Sequence, residues 1–193
     1  MLRNSGTDTH VNREVYDFVR DKINNLSNDA FTLAKIRNGV NMEPGIIPDI
    51  REHTVMDASN WDNRENKPTP EDWATYVAIT LFAEHSRNRS NVYEEGVTLG
   101  MAAGRLRRSN KDNIGYPAVN VFDAVLRAIG IKLLSRYSCN LVGHMRTAGE
   151  GLDYPLSATD LLAFQLDKCK PNNKIQTRWM IESITNKTNI LID

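Results

Sequence analysis

Hydrophobic residues recur at helical spacing along this chain, and the clearest example lies in residues 98–111. Its apolar positions, which fall at i, i+3, i+4 and i+7, are Leu99, Ala102, Ala103 and Leu106. That spacing is typical of one buried face of an α-helix, and Thr98 precedes it as a candidate N-cap. Four cations lie beside or opposite the apolar stripe on a helical wheel, namely Arg105, Arg107, Arg108 and Lys111. The segment therefore predicts a helix that packs through one side and presents a basic face on the other.

A second basic helix is predicted for residues 131–147. Its apolar side is centred on Leu141, while Lys132, Arg136 and Arg146 fall within about 40° of one azimuth on the opposite side. One such helix is readily explained as an ordinary solvated face. Because two helices each have an apolar face and a basic face, that explanation is weaker here.

The remaining segments follow the same helical pattern. Helices are predicted over about residues 11–26, 28–37, 48–56, 70–85, 117–129, 156–169 and 173–184. No segment shows the sustained alternation of a strand. The polar stretch 86–96 is the candidate boundary between domains. We therefore predict an all-α protein of about eight to nine helices in two small helical bundles, an N-terminal domain over 1–90 and a C-terminal domain over 91–193.

Charge is unevenly distributed, although the 193 residues sum to a net charge of zero. Residues 40–100 carry eleven acidic and five basic side chains, a net charge of −6. Residues 101–148 carry eight basic and two acidic side chains, a net charge of +6. Such a basic segment favours a polyanionic partner, and only for that part of the chain.

Residue patterns for catalysis or metal binding are missing from the sequence. The two cysteines, Cys139 and Cys169, are far apart, and the four histidines are scattered without ligand spacing. No phosphate-binding or nucleophile motif occurs. Gly100 and Gly104 lie four residues apart within a helical pattern, a spacing that favours close helix packing. We therefore expect no enzyme activity, no cofactor and no metal.

Three tryptophans could stack on nucleobases, namely Trp61, Trp73 and Trp179. Trp73 and Trp179 fall on apolar faces, so we predict that these two belong to the core. The sequence has no apolar run long enough to span a membrane, so we expect a cytoplasmic protein that does not engage a membrane.

Several short motifs occur in an order that resembles a known family. Lys35 and Arg37 end the second predicted helix, and residues 96–100 (GVTLG) lead into residues 105–108 (RLRR). The motifs that follow are residues 126–128 (LRA), 144–146 (HMR) and 152–156 (LDYPL). From about Phe31 onward this order resembles the CasB family, the small subunit of the type I-E CRISPR surveillance complex called Cascade. The family usually has two adjacent arginines where an isoleucine here separates Lys35 from Arg37.

The resemblance implies a non-catalytic helical subunit of an antiviral complex. Two copies would associate beside the crRNA and the other Cascade subunits, stabilise the hybrid of guide and target, and hold the displaced DNA strand without sequence specificity. The acidic N-terminal half would then provide surface for protein contacts. The residues expected to contact nucleic acid are Lys35, Arg37, Arg105, Arg107, Arg108, Lys111, Arg127, Lys132, Arg136 and Arg146.

Two other functions remain compatible with a helical protein that has basic faces. A transcription regulator would need a recognition helix with base-reading side chains at its start. The candidate at residues 115–127 opens with Tyr116, Pro117, Ala118 and Val119, which offer little to a base edge. A structural scaffold would use the same charges only toward other proteins. Salt dependence separates the three, because phosphate contacts give a salt slope without sequence preference, a regulator adds preference, and a scaffold shows neither.

Overall fold

The residues that the computed structural model describes, 5–63, 67–109, 115–167 and 173–185, contain nine α-helices and no strand. The helices are α1 (Ser5–Leu26), α2 (Ala30–Arg37), α3 (Pro48–Thr54), α4 (Pro70–His85), α5 (Leu99–Arg108), α6 (Gly115–Leu126), α7 (Ile131–Ala148), α8 (Tyr154–Leu166) and α9 (Lys174–Ile184). A short 3-10 helix covers Ala58–Asn63. The predicted all-α class and number of helices are confirmed. No helix in these ranges is long and apolar enough to cross a membrane.

Helix α4 forms the centre of the fold and contacts α1, α2, α3, α7 and α8. Its ten residues from Ala74 to Ala83 are all buried, because the segment is apolar on more than one side. The first turn is held by a capping box: the Thr69 hydroxyl accepts the Asp72 N–H, and the Thr69 N–H donates to the Asp72 carboxylate. These reciprocal bonds satisfy backbone donors that would otherwise lack partners at the buried helix start.

The buried side chains of both predicted domains belong to one hydrophobic cluster. Helix α8, from the C-terminal half, packs against α1 and α4 from the N-terminal half. Helix α7 also lies against α4. The division of the chain near residue 90 into separately folding units stays a prediction.

The polar stretch predicted as a linker is bonded to the turn between α7 and α8. Backbone hydrogen bonds join Glu94 N–H to the Leu152 carbonyl (3.1 Å), Leu152 N–H to the Val92 carbonyl (3.0 Å) and Asp153 N–H to the Val97 carbonyl (2.9 Å). We call this pairing of residues 92–97 with residues 151–153 the clasp. Although it contains only an isolated bridge between Tyr93 and Leu152 rather than a strand, it fixes the path of the chain into α5.

The Asp153 side chain extends the clasp to the start of α8. One carboxylate oxygen accepts the Gly96 N–H at 2.7 Å, and the other accepts the Leu156 N–H at 2.8 Å as the N-cap of α8. Asp153 is buried, so two backbone donors meet one anion away from water. Such charge-assisted bonds are stronger than neutral ones.

Helices α5 and α9 pack with backbone against backbone at two glycines. A Cβ atom at Gly100 would lie 2.4 Å from the Trp179 carbonyl oxygen, and one at Gly104 would lie 2.6 Å from the Ser183 carbonyl oxygen. The prediction that this glycine spacing permits close helix packing is confirmed. Because the obstructing atoms are backbone, no side-chain rearrangement can make room for a methyl group.

We predict that Gly104→Ala lowers the free energy of unfolding by about 1–3 kcal/mol, the usual cost of overpacking, despite the better helix propensity of alanine. Gly143→Ala is the matched control, because Gly143 is also within a helix and an added Cβ would meet nothing within 4 Å. The control should raise stability by up to about 1 kcal/mol. Urea denaturation of both variants measures the difference, and equal or stabilising effects at both sites would contradict the packing argument.

Candidate nucleic-acid interface

Helix α5 presents two exposed arginines at its C-terminal turn. Thr98 caps the helix as predicted, since its hydroxyl accepts the Met101 N–H at 3.1 Å. Arg107 and Arg108 are exposed and make no ion pair with the residues that the structure describes. The helix dipole favours cations at this end, which partly accounts for their position. Their guanidinium groups remain available for an external anion.

Arg105 differs from its two neighbours because it is held by acidic side chains. Its Nη1 atom lies 2.8 Å from both carboxylate oxygens of Glu94 and 3.7 Å from Glu150. Glu94 belongs to the clasp, so Arg105 connects the clasp to α5. This predicted nucleic-acid contact therefore has a clear structural role within the chain.

The three cations of the predicted basic face of α7 also differ in whether a carboxylate pairs with them. Arg136 is exposed without an ionic partner among the described residues. Lys132 pairs with Glu43 at 2.9 Å and lies 5.8 Å from the centre of the Trp73 ring. Arg146 is only 28% exposed and bonds Glu84 twice, at 2.6 Å to the carboxylate and 2.8 Å to the backbone carbonyl. Only Arg136 among these three cations is free of a carboxylate.

Two predicted site residues converge on the C-terminal end of α4. Arg37 donates to the Ala83 carbonyl at 3.1 Å, and Arg146 donates to the Glu84 carbonyl. The last carbonyls of a helix have no partner within the helix and carry its negative dipole end. The two arginines, which come from α2 and α7, therefore cap a buried helix end.

The other predicted residues are distributed over separate surfaces. Lys35 lies 4.6 Å from the centre of the exposed Phe31 ring, and Arg127 is 3.8 Å from Asp123 one helical turn away. Lys111 lies outside the described residues. Among the predicted residues that are described, the exposed ones that form no ion pair with another described residue are Arg107, Arg108 and Arg136.

Two exposed arginines next to this region were absent from the predicted set. Arg87 and Arg89 follow α4 in the stretch predicted as a linker. The available signal was the pair of arginines in residues 85–91 (HSRNRSN), within a part of the chain that is otherwise acidic. The polar composition of this stretch predicted only a boundary between domains.

A buried histidine lies beneath these arginines and carries no charge at neutral pH. The His85 ring is fully buried, and its Nδ1 atom hydrogen-bonds the Tyr154 hydroxyl. Burial lowers the pKa of His85 to about 4, and the nearby Arg146 and Arg89 charges contribute to the shift. The positive charge at this end of α4 therefore comes from arginines.

The tryptophans offer little surface for base stacking. Trp61 and Trp179 are buried, and Trp73 is partly buried against the core. The prediction that Trp73 and Trp179 belong to the core is confirmed. In the described parts of the chain, no group of three or more His, Cys, Asp or Glu side chains is arranged to hold a metal ion.

Comparison with known proteins supports the all-α fold described above. A family model described as CRISPR-associated protein Cse2 matches residues 32–182. A solved structure with a similar fold is the crystal structure of CasB from Thermobifida fusca, with 24% sequence identity and a TM-score of 0.67. The similarity covers 91% of this chain and 98% of that chain. No curated protein sequence matches.

We predict that Arg146→Ala lowers the free energy of unfolding by about 1–3 kcal/mol, because it removes the closest donor to both the half-buried Glu84 carboxylate and the Glu84 carbonyl. Arg136→Ala, on the same helix, should change stability by less than about 0.5 kcal/mol because its side chain is exposed and forms no ion pair with a described residue. Thermal unfolding of the two variants tests this difference. A neutral Arg146→Ala would show that Arg146 does not anchor α4.

Proposed function

Since the chain belongs to the Cse2 family, the CasB subunits of type I-E CRISPR Cascade, we propose that it contacts nucleic acid within that complex without catalysing a reaction. In this proposal it stabilises the hybrid of crRNA and target strand and holds the displaced DNA strand. Its partners are the other Cascade subunits, the crRNA, the target DNA and a second copy of itself. The acidic half of the chain is then free to contact protein.

The observation that carries this proposal is the set of exposed, unpaired guanidinium groups at Arg107, Arg108 and Arg136. Many cations of the chain form ion pairs within it, as Arg105 does with Glu94 and Arg146 does with Glu84. Arg107, Arg108 and Arg136, which form no ion pair with a described residue, lie on α5 and α7 in the segment of net charge +6. Guanidinium groups match phosphate oxygens in geometry and charge. Contact with the phosphate backbone of a nucleic acid is therefore the function that these guanidinium groups support best.

Recognition of base sequence has no support at the helix that a regulator would use. The first turn of α6 includes Pro117, Ala118 and Val119, none of which has a side-chain hydrogen-bond donor or acceptor. Side chains that read base edges are typically Arg, Lys, Asn or Gln. The geometry therefore favours binding that is independent of sequence over a transcription regulator.

We predict that the double reversal Arg107→Glu and Arg108→Glu weakens binding to DNA at low salt and flattens the dependence of log affinity on log salt. If each arginine neutralises one phosphate, the slope should fall by about 1.4 for a single strand and about 1.8 for a duplex, whatever the sequence. The helix dipole disfavours acids at this end, so each change should cost stability by at most about 1 kcal/mol. Binding isotherms at several salt concentrations, with circular dichroism as a check on folding, provide the measurement.

The matched control is the double variant Arg13→Glu and Arg20→Glu on α1. It changes the net charge of the protein equally, and both side chains are exposed and pair only with acids on their own helix. The control should leave the salt slope unchanged. If the two double variants have the same DNA affinity and the same salt slope while both remain folded, Arg107 and Arg108 are only solvent-exposed and do not bind nucleic acid.

A further inference from the structure

A cavity of about 580 Å³ lies at the C-terminal end of α4. Its walls come from the turn between α1 and α2, from α2 itself, from the end of α4 and from residues 86–93. The cations on its lining are Arg37 and Arg89, and no aspartate or glutamate lines it. In a region of the chain that is acidic overall, the cavity is thus positively charged.

The two arginines that line the cavity come from different parts of the chain, Arg37 from α2 and Arg89 from the stretch after α4. Arg37 uses its Nη1 atom for the Ala83 carbonyl, and a guanidinium has further N–H donors to offer. Arg89 is exposed and makes no ion pair with any described residue. It lies against Gly149, where an added Cβ would come within 2.9 Å of its Nη1 atom. Arg89 therefore has a defined position beside the turn that follows α7.

The helix end below the cavity does not repel an anion. The C-terminal end of a helix is the negative end of its dipole. Here, however, the Ala83 and Glu84 carbonyls already accept hydrogen bonds from Arg37 and Arg146. The Glu84 carboxylate balances the charge of Arg146, Arg37 offsets the dipole end, and Arg89 adds a further positive charge on the cavity lining.

The rest of the lining supplies polar groups without partners. The exposed side chains of Asn28, Asn88, Ser90 and Asn91 form no hydrogen bond with the part of the chain that the structure describes. Asn88 and Asn91 have φ angles of 59° and 60°, in the left-handed region that asparagine tolerates better than most residues. Their amides provide both donors and acceptors at the cavity mouth.

We propose that this cavity binds one nucleotide of a single-stranded nucleic acid, with its phosphate against Arg37 and Arg89 and its polar edges against the asparagines. The inference rests on the proposed function and adds a contact outside the helices α5 and α7. A double helix is too wide to enter a cavity of this size, whereas an unpaired nucleotide can enter. The contact therefore distinguishes a displaced strand from a duplex.

The test compares Arg89→Gln with Arg87→Gln in the full chain. Both variants remove one exposed positive charge from the same loop, but Arg87 does not line the cavity and faces Glu84 at 3.9 Å. With oligothymidylate, Arg89→Gln should lower the salt slope by about 0.7 and weaken binding about fivefold at 0.1 M salt. Arg87→Gln should have little effect. With a duplex of equal length, neither variant should change the slope.

A second variant keeps the backbone conformation and adds one negative charge to the cavity lining. Asn91→Asp preserves a side chain that tolerates a positive φ, and the new carboxylate should weaken oligothymidylate binding without changing the melting temperature by more than a few degrees. The proposal fails if Arg89→Gln and Arg87→Gln have equal effects, or if the duplex loses as much affinity as the single strand. It also fails if Arg89→Gln leaves oligothymidylate binding unchanged and weakens only the binding of a partner protein.

The Arg107→Glu and Arg108→Glu double variant keeps this result separate from the proposed function. If that variant flattens the salt slope while Arg89→Gln has no effect, the cavity proposal is wrong and backbone binding by α5 stands. If Arg89→Gln has its predicted effect while the double variant has none, the cavity binds the strand and α5 does not.

Discussion

The clasp between residues 92–97 and residues 151–153 is the interaction on which the arrangement of the basic helices depends. It pairs the backbone before α5 with the backbone before α8. Through Asp153 it also caps α8, which packs against α1 and α4 in the centre of the fold. Through Glu94 it holds Arg105 and so fixes the orientation of α5. Residues 92–97, which form no helix, thus position the exposed ends of the helices next to them.

The same side-chain chemistry serves the interior and the surface of this protein. A helix-end carbonyl and a phosphate oxygen are both hydrogen-bond acceptors with negative charge, so a guanidinium group suits either one. Arg146 is committed to the carbonyl and the carboxylate of Glu84 at the end of α4, whereas Arg37 uses only its Nη1 atom there. Arg107, Arg108 and Arg136 have no such acceptor within the described chain. The distribution of internal acceptors therefore decides which arginines can meet an outside anion.

Local features of the fold were predictable from sequence. Which cations form ion pairs inside the chain and which remain exposed was not. Thr98 caps its own helix, and the spacing of Gly100 and Gly104 is about one helical turn, so the local sequence indicated the cap and a site of close packing. The partner helix α9 could not be identified in this way. Arg146 and Glu84 are 62 residues apart, and their bond exists only because α7 packs beside α4. A helical wheel identifies the face on which a cation lies, but it contains no information about acids on other helices. For the same reason, the neighbours that make Arg89 distinctive, Gly149 and Arg37, could not be found from composition.

The glycine contact between α5 and α9 has a mechanical consequence. Side chains in a packed interface can change rotamer and so absorb a small displacement, but two backbones in direct contact can only move together. Gly100 and Gly104 meet the backbone of Trp179 and Ser183 in this way. Tightly packed elements have low compressibility and transmit strain. A pull on the exposed end of α5 is therefore passed to α9, and the two helices respond to load as one stiff body.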